Sequence, residues 1–369
     1  MKILELCHYS AGVCGVWQRV KQESILLAQR GHEVLVISSN ATKGSDEIAS
    51  EKENNDGVKI IRKTFKKIGG ESFMLWDFES DALEFHPDVI IAHSYRQPHT
   101  LKALKIAKKI NSKVFLVTHA PFDRESTHSF LANAFISFYD LFIAPKKLKQ
   151  FNKIIAITKW EYPYLHKLGL NDSNIEYIPN GIPEEFFLFE NTQKEENKIL
   201  FLGRIVPIKS LETVIESLHL LKDKKTIFEI VGPVEIDYLQ NLKSVIDKNK
   251  VIDRVIFSPA IFDIKEKIKK IDSAKIFILP SISEGMPQGL IEGMARRKII
   301  ISSDNIGSKD LIYDKKNGYL FPVQDYKTLA ELINSLSLNQ KDIKKEAIES
   351  VKKFSWEKVI EKIDSLIKN

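Results

Sequence analysis

Two carboxylates, Glu284 and Glu292, stand eight residues apart around a Gly/Pro-rich turn, Ser283-Glu284-Gly285-Met286-Pro287-Gln288-Gly289-Leu290-Ile291-Glu292. Upstream, Lys275–Leu279 is a short apolar run closed by Pro280, and from Gly289 to Ala295 the spacing is helical. The order is therefore strand, glycine-rich loop, helix. At the carboxyl edge of a parallel sheet such a loop presents backbone N–H groups and the positive end of a helix, which stabilise an anion such as a phosphate. Glu284 then sits at the loop mouth and Glu292 on the first turns of the helix. The run from Phe201 to Ser210 repeats the arrangement with Gly203, Arg204 and Lys209. A planar arginine fork and a mobile lysine charge together suit a diphosphate. Carboxylates at the same sheet edge suit ribose hydroxyls.

These loops need a sheet behind each of them, and the chain supplies two. At 369 residues it exceeds one ordinary core, so two domains are expected. With 43% hydrophobic and 28% charged residues it has a globular composition, and a net charge of +6 is too mild to point to nucleic acid. Strands are expected at Ile3–Leu6, Glu33–Ser38, Val58–Lys63, Val89–His93, Lys113–Thr118 and Lys153–Thr158. Helices are expected from about Val16 to Arg30, closed by Gly31, and at Thr100–Ile110. The rhythm restarts at Ile199–Leu202, Phe228–Val231, Arg254–Ser258, Lys275–Leu279, Ile299–Ser302 and Tyr319–Phe321. This predicts an α/β protein with two Rossmann-like parallel sheets, a polar linker near residues 180–198 and a cleft between the halves. The domains are expected at 1–180 and 181–355. The helix 356–369, with Val359, Ile360, Ile363 and Leu366 at helical spacing, packs either on the second domain or back on the first. No repeat of 20–50 residues is evident.

The chain resembles a glycosyltransferase of the GT4 (group 1) type with the GT-B architecture of two Rossmann-like domains facing a central cleft. The resemblance runs over nearly the whole length. Its most specific part is the Glu-x7-Glu spacing of Glu284 and Glu292, followed by Gly203-Arg204 with Lys209. Weaker matches are Ile178-Pro179-Asn180-Gly181-Ile182, Gly31-His32-Glu33-Val34 and Asn317-Gly318-Tyr319-Leu320-Phe321-Pro322. It implies a retaining transferase that moves a sugar from a nucleotide-diphospho-sugar donor to a hydroxyl acceptor, such as a polysaccharide or lipid-linked glycan.

By the same resemblance, Arg204 and Lys209 hold the donor diphosphate and Glu292 accepts from the ribose. Glu284, Gly285 and the backbone from Met286 to Leu290 contact sugar and phosphate, with Gln288, Gly289 and Leu290 the expected N–H donors because Pro287 has none. Gly232 and Ile261 frame the nucleobase, and Gly15 admits the phosphates. The family's Gly-Gly is altered here, with Cys14 in the first place and Gly12 three residues before Gly15. His119 matches a histidine near the reactive sugar carbon, orienting the sugar rather than acting as a base. The departing phosphate assists a front-face attack. No Asp-x-Asp stands near a strand end, so no cofactor and no obligatory divalent ion is expected.

Several features carry plainer expectations. His8, His93 and His99 are expected to be structural, and Asp46, Glu47, Glu51 and Glu53 to be solvated. Cys7 and Cys14 suit thiols in a reducing cytoplasm better than a disulfide. No apolar run reaches a membrane-span length of roughly 18 residues, and the opening strand leaves no room for a signal peptide. Arg62–Lys67 is basic with an aromatic, and Phe130–Phe151 combines Phe130, Leu131, Phe135, Phe138, Tyr139, Leu141, Phe142 and Ile143 with Lys146, Lys147 and Lys149. That segment is either a surface resting on anionic lipid or a core helix. An epimerase of the same architecture and a non-catalytic nucleotide-sugar binder remain alternatives. A nicotinamide dehydrogenase is disfavoured, since the first loop lacks Gly-x-Gly-x-x-Gly.

Overall fold

A computed structural model describes residues 1–12, 14–69, 73–122, 130–188, 193–336 and 340–369. Contacts divide the chain into two compact units, residues 1–180 with 357–369, and residues 181–356.

The strands of the first unit are β1 (Lys2–Tyr9), β2 (Glu33–Ser39), β3 (Lys52–Asn55), β4 (Val58–Lys63), β5 (Phe65–Gly69), β6 (Phe73–Trp76), β7 (Val89–His93), β8 (Lys113–Val117), β9 (Lys153–Ala156) and β10 (Ile175–Tyr177). One sheet has the order β10-β9-β8-β7-β1-β2-β4-β3, and β5 with β6 forms a separate hairpin. The large sheet is parallel except for the β3–β4 pair. Helices cover its faces, so β1, β2 and β7 are buried almost end to end and read as near-continuous apolar runs. Glu5 and His8 are the polar exceptions on β1, and both are buried.

The second unit holds β11 (Glu196–Leu202), β12 (Ile227–Val231), β13 (Val255–Ser258), β14 (Ala274–Leu279), β15 (Ile299–Ser303) and β16 (Tyr319–Phe321), all parallel, in the order β13-β12-β11-β14-β15-β16. The strand order reverses between β11 and β14 here, and between β1 and β7 in the first unit. Open α/β sheets bind ligands at that reversal, outside the carboxyl ends of the strands.

The helix Trp356–Lys368 returns to the first unit. Its Asp364 Oδ1 lies 2.8 Å from His32 Nε2, and Lys113 Nζ donates to Ile367 O at 3.4 Å. The expected linker is not a free segment. Phe186, on the short helix Glu185–Leu188, is buried in the second core and its carbonyl accepts from Arg296 Nη1 at 3.1 Å. Residues 189–192 of that linker, and the side chains of Phe130 and Leu131, lie outside the described residues. The strands β3, β5, β6 and β10 were not expected. β3 reads Lys-Glu-Asn-Asn, with no apolar alternation, and holds only as an edge partner of β4.

Candidate functional site

In the second unit the two charged loops meet at the β11/β14 reversal. Lys209 ends a tight turn, Pro207–Lys209, and Ile282 N donates to Ile208 O at 2.9 Å, tying the loop after β11 to the loop after β14. Lys209 Nζ donates to Glu284 Oε1 at 2.5 Å, and Ser281 Oγ donates to the same oxygen at 2.6 Å. An incoming phosphate can thus share an ammonium that Glu284 already holds in place. Arg204, two residues past β11, is exposed, and no ion pair engages it among the described residues. Gly203 and Gly232 touch back to back. A Cβ on Gly232, whose φ is +149°, would lie 1.9 Å from Gly203 O, so only glycine fits where these strands end. Ile261, in the loop after β13, packs partly buried against the core.

Glu292 is buried on the helix Gln288–Ala295. Lys267 Nζ, from the helix Ile264–Ser273, donates to its Oε1 at 2.6 Å, while Oε2 is buried with no hydrogen-bond partner among the described residues. A buried acceptor without a donor is costly, and a ligand hydroxyl relieves that cost. Lys267 was missed because it is one of four lysines between residues 265 and 270 and nothing in their spacing separates it.

The helix Gln288–Ala295 starts with no side-chain cap and no acidic residue in its first turn. Leu290 N donates to Pro287 O at 3.0 Å, which removes Leu290 from the expected backbone donors. Gln288 and Gly289 remain as N–H groups with no acceptor inside the helix. The loop before them is backed by Gly307, where a Cβ would lie 2.4 Å from Glu284 O and 2.8 Å from Gly285 O. Met286 packs against the core from that loop. A cavity lined by Lys198, Leu221, Thr226 and Ile276 lies at the opposite, amino-terminal edge of the sheet, away from these groups.

In the first unit, Gly15 opens the helix Gly15–Gln29, and the space its Cβ would occupy is empty. The altered loop before it is fixed by a bridge between Gly12 and Lys43. His119 follows β8 in a left-handed conformation with φ +61°, as does Ala120 with φ +53°. Glu161 holds this turn. Its carboxylate accepts from Ala120 N at 3.1 Å, Thr158 N at 3.0 Å, Ile157 N at 2.8 Å and the Thr118 hydroxyl.

His93 Nδ1 lies 3.0 Å from His119 Nε2, and His93 Nε2 lies 2.7 Å from Glu5 Oε2. His99 Nε2 bonds His93 O at 2.8 Å, in keeping with a structural role. Arg19 is fully buried, with Nε on Glu23 Oε2 at 3.0 Å and Nη1 on Ile178 O, Pro179 O and Asn180 Oδ1 at 3.0–3.1 Å. Burial pushes Glu5 up to about 8, against the pull of Arg19. Burial also lowers His93 to about 3 and holds His119 well below its usual value, with His93 and Arg19 adding to the effect. Glu5, Glu23 and His93 present donor atoms within 4.8 Å of one another, but the Arg19 guanidinium already supplies the positive charge beside them.

Two expectations about the first unit change. Arg62 is buried rather than part of a basic surface, donating to Ser10 Oγ at 2.7 Å and to Glu53 Oε2 at 2.5 Å, so Glu53 is paired rather than merely solvated. The segment Phe130–Leu148 is not a core helix throughout. Tyr139, Ala144 and Leu148 are buried, but Phe135, Phe138, Leu141 and Phe142 are 51–68% exposed. Cys7 and Cys14 are free thiols. No helix among the described residues is long and apolar enough to cross a membrane.

Residues 184–354 match the family described as glycosyl transferases group 1, and residues 13–186 match glycosyltransferase family 4. The amylovoran biosynthesis glycosyltransferase AmsK of Erwinia amylovora is 29% identical over 214 residues, covering 54% of this chain and 51% of AmsK. The chain spans about half the length of the curated relatives it matches. Among solved structures, a glycosyltransferase from Rickettsia africae has a TM-score of 0.76 at 18% identity, covering 100% of this chain and 97% of its own. Alr3699/HepE of Anabaena, solved with UDP and glucose, has a TM-score of 0.74 at 17% identity, covering 100% and 99%. Such identities speak for the fold, a GT-B arrangement of two α/β domains. Matched between them from residue 13 to residue 354 by these two glycosyltransferase models, this chain belongs to the family 4, group 1 glycosyltransferases.

Proposed function

We propose that the protein is a retaining glycosyltransferase that moves a sugar from a nucleotide-diphospho-sugar to a hydroxyl acceptor, with no cofactor and no obligatory metal ion. The observation that carries the reading is the grouping of Lys209, Glu284 and the half-satisfied Glu292 carboxylate at one strand-order reversal, beside an uncapped helix start. A nucleotide sugar matches each group in turn. Its diphosphate meets Lys209, Arg204 and the Gln288 and Gly289 N–H groups, and its ribose gives Glu292 Oε2 a donor that none of the described residues supplies. The UDP bound to the Anabaena structure supports a nucleotide donor here.

As the sugar leaves, negative charge grows on the diphosphate, and groups already in place stabilise it without reorganising. Arg204 and Lys209 are the principal ones. Glu284 and Gly285 contact sugar and phosphate, Met286 and Leu290 shape the loop, and Gly203, Gly232 and Ile261 frame the base. His119 orients the sugar and Gly15 admits the phosphates. No protein nucleophile is required when the departing phosphate assists attack from the same face.

The acceptor is a glycan hydroxyl, polysaccharide or lipid-linked, and the protein works at the cytoplasmic face of an anionic membrane. The biosynthetic name of AmsK supports the first part. The exposed Phe135, Phe138, Leu141 and Phe142, followed by exposed Lys146 and Lys149, support the second. Failure to co-sediment with anionic vesicles would remove it.

A thermal-shift panel of UDP-, GDP- and ADP-sugars identifies the donor, because a bound ligand raises the unfolding temperature by mass action. With that donor, Arg204→Ala and Lys209→Ala each lower turnover far more than stability. Near-wild-type turnover in either variant contradicts the assignment, and isomerised donor without acceptor would favour an epimerase instead.

A further inference from the structure

We propose that Glu5 and His93 are positioning residues that set the tautomer of His119 through the chain Glu5 Oε2···His93 Nε2 and His93 Nδ1···His119 Nε2. Both nitrogens of His93 are engaged, and its side chain and that of Glu5 are fully buried. A neutral imidazole carries one N–H, so the chain has two self-consistent arrangements. In one, Glu5 is a carboxylate. His93 donates to it from Nε2 and accepts at Nδ1, and His119 donates from Nε2, leaving a lone pair on its own Nδ1. In the other, the Glu5/His93 pair carries one more proton. His93 then donates from Nδ1, His119 accepts at Nε2, and His119 carries its hydrogen on Nδ1. The outcome is the same whether the extra proton rests on the Glu5 oxygen or on His93 Nε2.

The interconversion balances. A solvent proton arrives at Nδ1 of the partly exposed His119, its Nε2 hydrogen passes to His93 Nδ1, and the His93 Nε2 hydrogen passes to Glu5. One proton enters, each ring keeps one N–H, and the Nδ1 atom of His119 changes from acceptor to donor. Arg19 and Glu23 face the chain from the helix Gly15–Gln29, with Cys7 and His8 on β1 and His99 nearby. Arg19 favours the carboxylate, but its charge is shared with Glu23 at 3.0 Å, and burial favours the acid. The two states therefore exchange within reach of ordinary buffers. Glu161, holding Ala120 N and the Thr118 hydroxyl, fixes the backbone on both sides of His119. The consequence for sugar handling rests on the role proposed for His119, whereas the tautomer does not.

The test is NMR of the full chain labelled with 15N-histidine, with His119 assigned by His119→Asn, titrated between about pH 6 and about pH 10. His119 is expected to change from the Nδ1–H to the Nε2–H tautomer as pH rises through about 8. Glu5→Gln and His93→Phe are each expected to abolish the change. A wild-type His119 that keeps one tautomer throughout overturns the proposal, as does an unaltered midpoint in either variant. If Glu5→Gln does not fold, the wild-type titration and His93→Phe still decide. Nucleotide-sugar binding unaffected by His119→Asn would sink the functional role of His119 and leave the tautomer result standing.

Discussion

Gly307→Ala tests whether the Glu284 loop is held by backbone contact. The new Cβ would lie 2.4 Å from Glu284 O and 2.8 Å from Gly285 O, while ordinary contact begins at 3.4 Å. The helix Ile306–Leu311 cannot easily withdraw. Asn305 caps it through Ser308 N at 3.0 Å and ties it through Ser281 O at 3.0 Å. The loop therefore yields by about 1 Å, at a cost of about 1–3 kcal/mol typical of overpacking. For a unit of this size that lowers the unfolding midpoint by about 2–12 °C. A retreat of about 1 Å also carries Glu284 off Lys209 and Ser281, and misplacements of that size cost about 100-fold in turnover. The assay pairs thermal unfolding with calorimetric titration and turnover of the donor selected by thermal shift. A variant that binds and turns over its donor like wild type would refute the reasoning, whatever its midpoint.

Gly15→Ala puts its methyl into open space and is expected to leave the unfolding midpoint unchanged while lowering donor affinity, and equal affinity by calorimetry removes Gly15 from the site. Burial alone would raise Glu229, but bonds from Lys198, Lys270 and Ser258 outweigh it and bring the carboxyl down to about 2. A depressed carboxyl contributes stability above its unfolded value near 4.5 and loses it as pH falls toward about 2. Glu229→Gln is therefore expected to flatten the acid limb of stability by about 2 kcal/mol after allowing for solvent screening. An unchanged limb in acid unfolding counts against the lysine cage. Turnover is expected to survive EDTA treatment, and its loss, restored by a divalent ion, would contradict metal independence.

The second sheet was legible because its inner strands β12, β14 and β15 are buried almost throughout and read as apolar runs, and its loops because Gly203, Arg204, Lys209, Glu284 and Glu292 keep a specific spacing. What stayed hidden depends on contacts between distant segments. Lys267 reaches Glu292 across 25 residues and Glu5 reaches His93 across 88, and no local pattern records either pairing. Glu161 carries no local signal of its role, yet it holds the turn at His119 through groups some 40 residues away. Leu290 was misjudged because a single tight turn at Pro287 decides which N–H points outward. Exposure of Phe135 and Phe142 was undecidable for a related reason, since an apolar segment looks alike whether covered or bare.

The return of the helix Trp356–Lys368 makes the first unit discontinuous in sequence. A ribosome finishes every strand of both sheets before it makes residues 357–369, so the second unit can mature while the first still lacks its closing helix. Deleting residues 357–369 would therefore injure the first unit rather than the second, stripping His32 of Asp364.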